Sequence, residues 1–167
     1  MKKRIAVLGT SLFLNTKLQN GEYFAGNAKK MLKYSSVFEI DNFTKKNLTS
    51  ESAIKFIKAF SEERVYGDCI IELGEADSNN NVDLITFENN LINIINFLQD
   101  AKINPILLSL SKDLINKKGY REYQMIIDNV AIKTKVNYIY LGHENDNASI
   151  ICKSKSQTKR KIYEFCS

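Results

Sequence analysis

Five short, nearly continuous apolar runs alternate with amphipathic segments along the 167 residues of the chain. Apolar runs of this length predict strands that are covered on both faces, as in a parallel sheet. The five runs are RIAVL (4–8), SVFEI (36–40), DCIIEL (68–73), NPILLSL (104–110) and NYIYL (137–141). Their alternation with helical patterns predicts a three-layer α/β/α sandwich with a five-stranded, mostly parallel sheet, formed by a single domain over 1–167.

The segments between the strands carry the 3.6-residue apolar spacing of helices that bury one face. The clearest is 86–101, in which one stripe contains Phe87, Leu91, Ile94, Ile95 and Leu98. Asp83 or Thr86 is expected to cap this helix, and Ser50 or Ser52 to cap a helix over 50–63. The remaining helices are predicted over 120–135, 22–33 and about 156–165.

The net charge of +5 and the pI of about 9.0 permit binding to an anionic partner without requiring it. The densest basic run, KSKSQTKRK (153–161), lacks the aromatic residues that stack on bases, so it favours a solvated helix face over the alternative of a nucleic-acid-binding patch. No apolar stretch approaches the roughly 20 residues that span a bilayer. The basic start followed by IAVLGTSLFL imitates a signal peptide, but Gly9-Thr10-Ser11 interrupts it, which favours a first strand.

A zinc site is not expected from the cysteine and histidine content. The three cysteines show no C-x-x-C spacing, and the chain has one histidine, which argues against zinc. Cys69 lies within the apolar run CIIEL and is predicted to be a small buried hydrophobic residue. This cysteine usage suits a reducing, cytoplasmic location.

Polar residues with catalytic potential follow three of the predicted strands. Ser11 follows the first strand, the turn 74–77 follows the third, and His143 follows the fifth. In parallel sheets ligands bind beyond the carboxyl ends of the strands, where these loops gather. A serine with a histidine base and an orienting acid forms a nucleophilic site. The alternative is that Ser11 caps a helix and His143 is a surface residue.

Several stretches resemble, in order, the sequence blocks of the SGNH (GDSL-type) hydrolases. RIAVLGTSL resembles the first block, a strand that ends in Gly-Asp-Ser, and DCIIELGEAD resembles the third, a strand that ends in Gly-x-Asn-Asp. TFENNLINIINFLQDAKINPILLSL and YREYQMIIDNVAIKTKVNYIYL are similar to the helices and strands that follow. The last block, Asp-x-x-His, falls at or near His143. The resemblance covers nearly the whole chain and implies the flavodoxin-like topology of this family.

The resemblance assigns roles to four residues of this chain. Ser11 matches the nucleophile, and its backbone N–H is one donor to the oxyanion. His143 is the general base. Gly74 and Asp77 match the first and last residues of Gly-x-Asn-Asp, and they support the oxyanion loop.

The chain departs from the family pattern at the oxyanion donors. Ala76 replaces the Asn whose side-chain amide donates to the oxyanion, and loss of one such donor costs about 100- to 1,000-fold in rate. The second block has a glycine donor, but here the segment DNFTKKN (41–47) contains none. Thr10 replaces the Asp before the nucleophile, which does not transfer protons.

A further departure concerns the acid that orients the histidine. Tyr140 stands three residues before His143, where the family has Asp, and loss of that carboxylate costs up to roughly 10,000-fold in rate. The candidates to replace it are Glu144, Asp146 and Glu75.

Two functions are therefore predicted. The first is a serine esterase or acetylesterase, weakened by these departures, that acts on a small-molecule or carbohydrate ester without a cofactor. The alternative is a binding or accessory module that kept the fold and lost catalysis. The sequence lacks the G-x-G-x-x-G of dinucleotide folds and the clustered acids of receiver domains, and it matches an FMN-binding phosphate loop only loosely. It does not predict an oligomeric state.

Overall fold

The strands predicted from the apolar runs form one sheet. The computed structural model describes residues 3–10, 38–61, 66–140 and 151–152. The sheet has the order β2-β1-β3-β4-β5-β6, in which β1 to β5 are parallel and β6 is antiparallel to β5. The strands are β1 (Lys3–Gly9), β2 (Phe38–Asn42), β3 (Asp68–Glu72), β4 (Asn104–Leu108), β5 (Asn137–Tyr140) and β6 (Ile151–Cys152).

Three helices match the predicted amphipathic segments: α1 (Ser50–Ser61), α3 (Leu84–Asp100) and α5 (Tyr120–Thr134). Two short helices, α2 (Glu75–Asn79) and α4 (Lys112–Ile115), were not predicted, because four or five residues are too few to show a helical period. The strand β6 was also not predicted. The helices predicted over 22–33 and 156–165, and the basic run 153–161, lie outside the described residues.

The helix starts confirm one capping prediction and correct another. The Asp83 side chain accepts a hydrogen bond from Thr86 N at 3.0 Å and caps α3. At α1 the prediction of Ser50 or Ser52 is wrong, since Thr49 Oγ1 accepts from Ser52 N at 3.3 Å. Ser50 is the first helical residue, and its side chain is engaged elsewhere.

The core lies between the sheet and the helices α1, α3 and α5. α3 packs against both α1 and α5, and all five residues of its predicted stripe are buried. Cys69 is fully buried in β3, as predicted. None of the described helices is long and apolar enough to cross a membrane.

Candidate active site

The end of β1 is held against β3 by a buried carboxylate. Thr10 N donates to Glu72 Oε2 at 3.0 Å, and Thr10 Oγ1 lies 3.3 Å from Glu72 Oε1 and 3.3 Å from Glu75 Oε2. Glu72 is 0% exposed. Ser11 lies outside the described residues; in the sequence it directly follows Thr10, the residue after β1. Two glutamates therefore lie next to the position that precedes the candidate nucleophile.

Glu72 was missed by the sequence reasoning, which included it in an apolar strand. The available signal was a single acidic residue within the otherwise apolar run CIIEL, because a charged residue in a buried strand needs specific partners. Gly9 makes the approach of Glu72 possible. A Cβ atom on Gly9 would lie 2.8 Å from Glu72 Oε2 and 2.9 Å from the Glu72 carbonyl oxygen.

The turn after β3 places Gly74, Ala76 and Asp77 beside this end of the sheet. Gly74 has φ 118°, a left-handed conformation that favours glycine, and a Cβ there would lie 3.3 Å from Phe87 Cζ. Ala76 and Asp77 are buried in α2. Ala76 has no side-chain hydrogen-bond donor. The position at which the chain departs from the family's Asn is therefore both buried and without a donor.

The Asp77 carboxylate is bound to the start of α1. Ser50 Oγ donates to Asp77 Oδ1 at 2.6 Å, and Ser50 N donates to the two carboxylate oxygens at 2.9 and 3.1 Å. Burial raises the pKa of the Asp77 carboxyl, and these hydrogen bonds from Ser50 act in the opposite direction. Asp77 therefore joins the turn after β3 to a neighbouring helix.

The segment 41–47 continues along the end of β1. Phe43 N donates to Val7 O at 2.8 Å, and Lys45 N donates to Gly9 O at 3.0 Å. Asn47 then adopts φ 61°, the left-handed region in which Gly is favoured and Asn is the commonest substitute. Of the seven residues of this segment, Asn47 thus has the backbone conformation expected where the family has a glycine.

The structure describes some of the remaining predicted site residues and not others. His143, Glu144 and Asp146 lie outside the described residues. Tyr140 is the last residue of β5, so His143 follows the carboxyl end of that strand. The described residues place Gly74, Glu75 and Asp77 after β3, next to the end of β1. They contain no group of three or more His, Cys, Asp or Glu side chains arranged to hold a metal ion.

The sequence matches no family model and no curated protein. Solved structures do match it. The esterase EstA from Pseudoalteromonas sp. has a TM-score of 0.71 at 18% identity, over 83% of this chain and 77% of its own. AlinE4, an SGNH-hydrolase family esterase, has a TM-score of 0.69 at 21% identity, over 99% of this chain and 91% of its own. The chain has the SGNH-hydrolase fold.

A third structure with this fold, the acetyl xylan esterase AlAXEase, has a TM-score of 0.69 at 15% identity, over 83% of this chain and 77% of its own. The three-layer class and the parallel sheet of the SGNH-hydrolase fold confirm the fold predicted from the apolar runs. They also confirm, for the fold, the resemblance drawn from the sequence blocks.

Proposed function

We propose that the chain is a divergent SGNH hydrolase that cleaves a carboxylic ester at the carboxyl edge of its sheet. The observation that carries this proposal is the junction of β1 and β3. There the residue before Ser11 is bound by Glu72, beside the turn that begins at Gly74. The esterase activity named for EstA, AlinE4 and AlAXEase supports the same reaction class.

In this mechanism Ser11 Oγ attacks the ester carbonyl while His143 takes the hydroxyl proton. The negative oxygen of the tetrahedral intermediate accepts hydrogen bonds from the backbone N–H groups of Ser11 and Asn47. The proton on His143 then passes to the departing alcohol, and water hydrolyses the acyl-serine with His143 again as base. Because Ala76 cannot donate to the oxyanion, we expect a rate about 100- to 1,000-fold below that of an enzyme with Asn at this position.

Glu75 is the orienting-acid candidate that the structure describes, and its carboxylate lies beside Thr10. Glu144 and Asp146 stay candidates from the sequence. The variants Glu75→Gln, Glu144→Gln and Asp146→Asn separate them. The acid that orients His143 is the one whose loss lowers kcat most, and the other two substitutions leave kcat within about threefold.

Hydrolysis of p-nitrophenyl acetate tests the proposal. We expect turnover by the wild-type protein and none above background for Ser11→Ala and His143→Ala. Ala76→Asn restores the missing amide and is expected to raise kcat by up to about 100-fold, whereas the double variant Ser11→Ala/Ala76→Asn stays inactive. Wild-type turnover equal to that of Ser11→Ala would refute the esterase proposal.

The second candidate is a binding or accessory module with the same fold. The buried Ala76 favours it, since a module without catalysis needs no oxyanion donor. This candidate predicts that the wild-type protein is folded and binds a carbohydrate but shows no turnover on any ester tested. A cytoplasmic location and a single domain over 1–167 stay predictions from the sequence.

A further inference from the structure

Ser50, the first residue of α1, joins three helices through its hydrogen bonds. Its N–H and Oγ both donate to the Asp77 carboxylate in α2, and its Oγ accepts from Asn90 Nδ2 of α3 at 3.0 Å. Ser50 and Asp77 are each 0% exposed. The carboxylate also lies at the N-terminus of the 12-residue helix α1, where the helix dipole favours negative charge. We call this set of contacts the Ser50 clamp.

The Ser50 clamp spans the end of β1. The segment that follows β2 runs through Asn47 to Ser50, and the turn that follows β3 runs from Gly74 to Asp77. Because β1 lies between β2 and β3 in the sheet, a contact from Ser50 to Asp77 joins the two segments that flank the end of β1.

We propose that Ser50 is a positioning residue that fixes the distance between these two segments, and thereby the oxyanion donor at Asn47 relative to the turn at Gly74. The catalytic part of this inference rests on the proposed esterase function. Two donors from one residue to one buried carboxylate hold the contact in a low-dielectric environment, where such hydrogen bonds are strong. A displacement of about 1 Å near a reacting centre can cost about 100-fold in rate.

The kinetic test compares Ser50→Ala with Ser50→Thr, which keeps the hydroxyl, and with Ser52→Ala. The last is a matched control, because Ser52 is exposed on the same helix. We expect Ser50→Ala to lower kcat by about 10- to 100-fold with KM changed less than threefold, and Ser50→Thr to recover most of that loss. Ser52→Ala retains wild-type kcat. Equal kcat in Ser50→Ala and Ser52→Ala, with an active wild-type protein, would overturn the positioning role.

Hydrogen–deuterium exchange provides a measurement that does not depend on activity. In Ser50→Ala we expect the amides of both 45–49 and 74–78 to exchange at least about tenfold faster, whereas Ser52→Ala leaves 74–78 unchanged. Asp77→Asn keeps the side-chain volume and is used if Ser50→Ala does not fold. It should release the same two segments.

The exchange result separates the two proposals. If the wild-type protein has no esterase activity, but both segments lose protection in Ser50→Ala, the proposed function is refuted and the coupling of the two segments through Ser50 is retained. Faster exchange confined to 45–49 refutes the clamp, whatever the activity.

Discussion

A methyl group on Gly9 should open the junction between β1 and β3. In Gly9→Ala the new Cβ would lie 2.8 Å from Glu72 Oε2, 2.9 Å from Glu72 O and 3.0 Å from Glu72 Cβ. The carboxylate can rotate away, but the carbonyl oxygen and Cβ belong to the paired strand and move only with it. Both strands must therefore separate locally at the register pair Gly9↔Glu72.

The expected loss combines two effects. Inserting a methyl into a close-packed site costs about 1–3 kcal/mol. Moving Glu72 away from Thr10 N disturbs a buried hydrogen bond to a carboxylate, a class of bond worth about 1.5–3 kcal/mol. Moving Glu72 away from Thr10 also relieves part of the crowding around the new methyl group, so the two costs do not add in full. We therefore expect a decrease of about 2–3 kcal/mol in the free energy of unfolding.

Urea unfolding followed by circular dichroism measures this loss. With a slope of about 2 kcal/mol per molar urea, the midpoint should fall by about 1–1.5 M. Gly119→Ala is the contrasting variant, with backbone strain but no clash, because Gly119 has φ 95° and an added Cβ would lie 3.7 Å from its nearest neighbour, Ser78 Oγ. Its cost should be about 1–2 kcal/mol.

A double variant identifies the source of the clash. Glu72→Ala removes the carboxylate but leaves the carbonyl oxygen and Cβ, so Gly9→Ala should remain destabilising in the Glu72→Ala background. Full recovery there, or a midpoint shift below about 0.3 M for Gly9→Ala alone, would refute the argument from strand separation.

Three further predictions follow from single side chains. Because burial raises the pKa of Asp77 above its ordinary value of 3.8, its contribution to the free energy of unfolding is fully present below that pH and is lost as pH rises through the raised pKa. The stability of the wild-type protein relative to Asp77→Asn should therefore fall as the pH is raised above 3.8 in urea titrations, and a rising difference would contradict this. Burial, with a smaller contribution from Asp68, raises the pKa of the Cys69 thiol to about 12. In peptide mapping after iodoacetamide treatment at about pH 8, Cys69 should be unlabelled in the native protein and labelled in guanidinium, and native labelling would contradict its burial. Asp83→Ala removes the cap of α3 and should cost about 1 kcal/mol, a urea midpoint shift of about 0.5 M, whereas Asp83→Asn should retain most of the stability.

The apolar pattern was sufficient to predict the parallel sheet and the three long helices, because each of these elements buries a full face against the core. The predicted strand over 36–40 illustrates the limit of this signal. The strand β2 continues through Asp41 and Asn42, which are polar, and Asp41 is bound there by Arg4 and Tyr66. The apolar pattern cannot reveal such a strand end, because its residues are polar and their partners are distant in sequence.

The candidate site was less predictable for the same reason. Ser11 and Asp77 could be proposed from matching sequence blocks. The contacts of Glu72 with Thr10 and of Ser50 with Asp77 join residues that are far apart in the chain, and they became visible only in three dimensions. The left-handed backbone at Asn47 also depends on the path of the loop beside β1.

The strand order has a consequence for how this edge of the protein forms. The described strands that pair with β1 are both distant from it in sequence: Lys3 pairs with Phe38, and Ile5 pairs with Asp68, roughly 60 residues away. Each pairing requires closure of a long loop before its hydrogen bonds and buried area compensate the lost chain entropy. The strand that leads to Ser11 can therefore be completed only after β2 and β3 have both docked. Slow folding is the expected cost of placing the first strand of the chain inside a parallel sheet, between two strands that are distant in sequence.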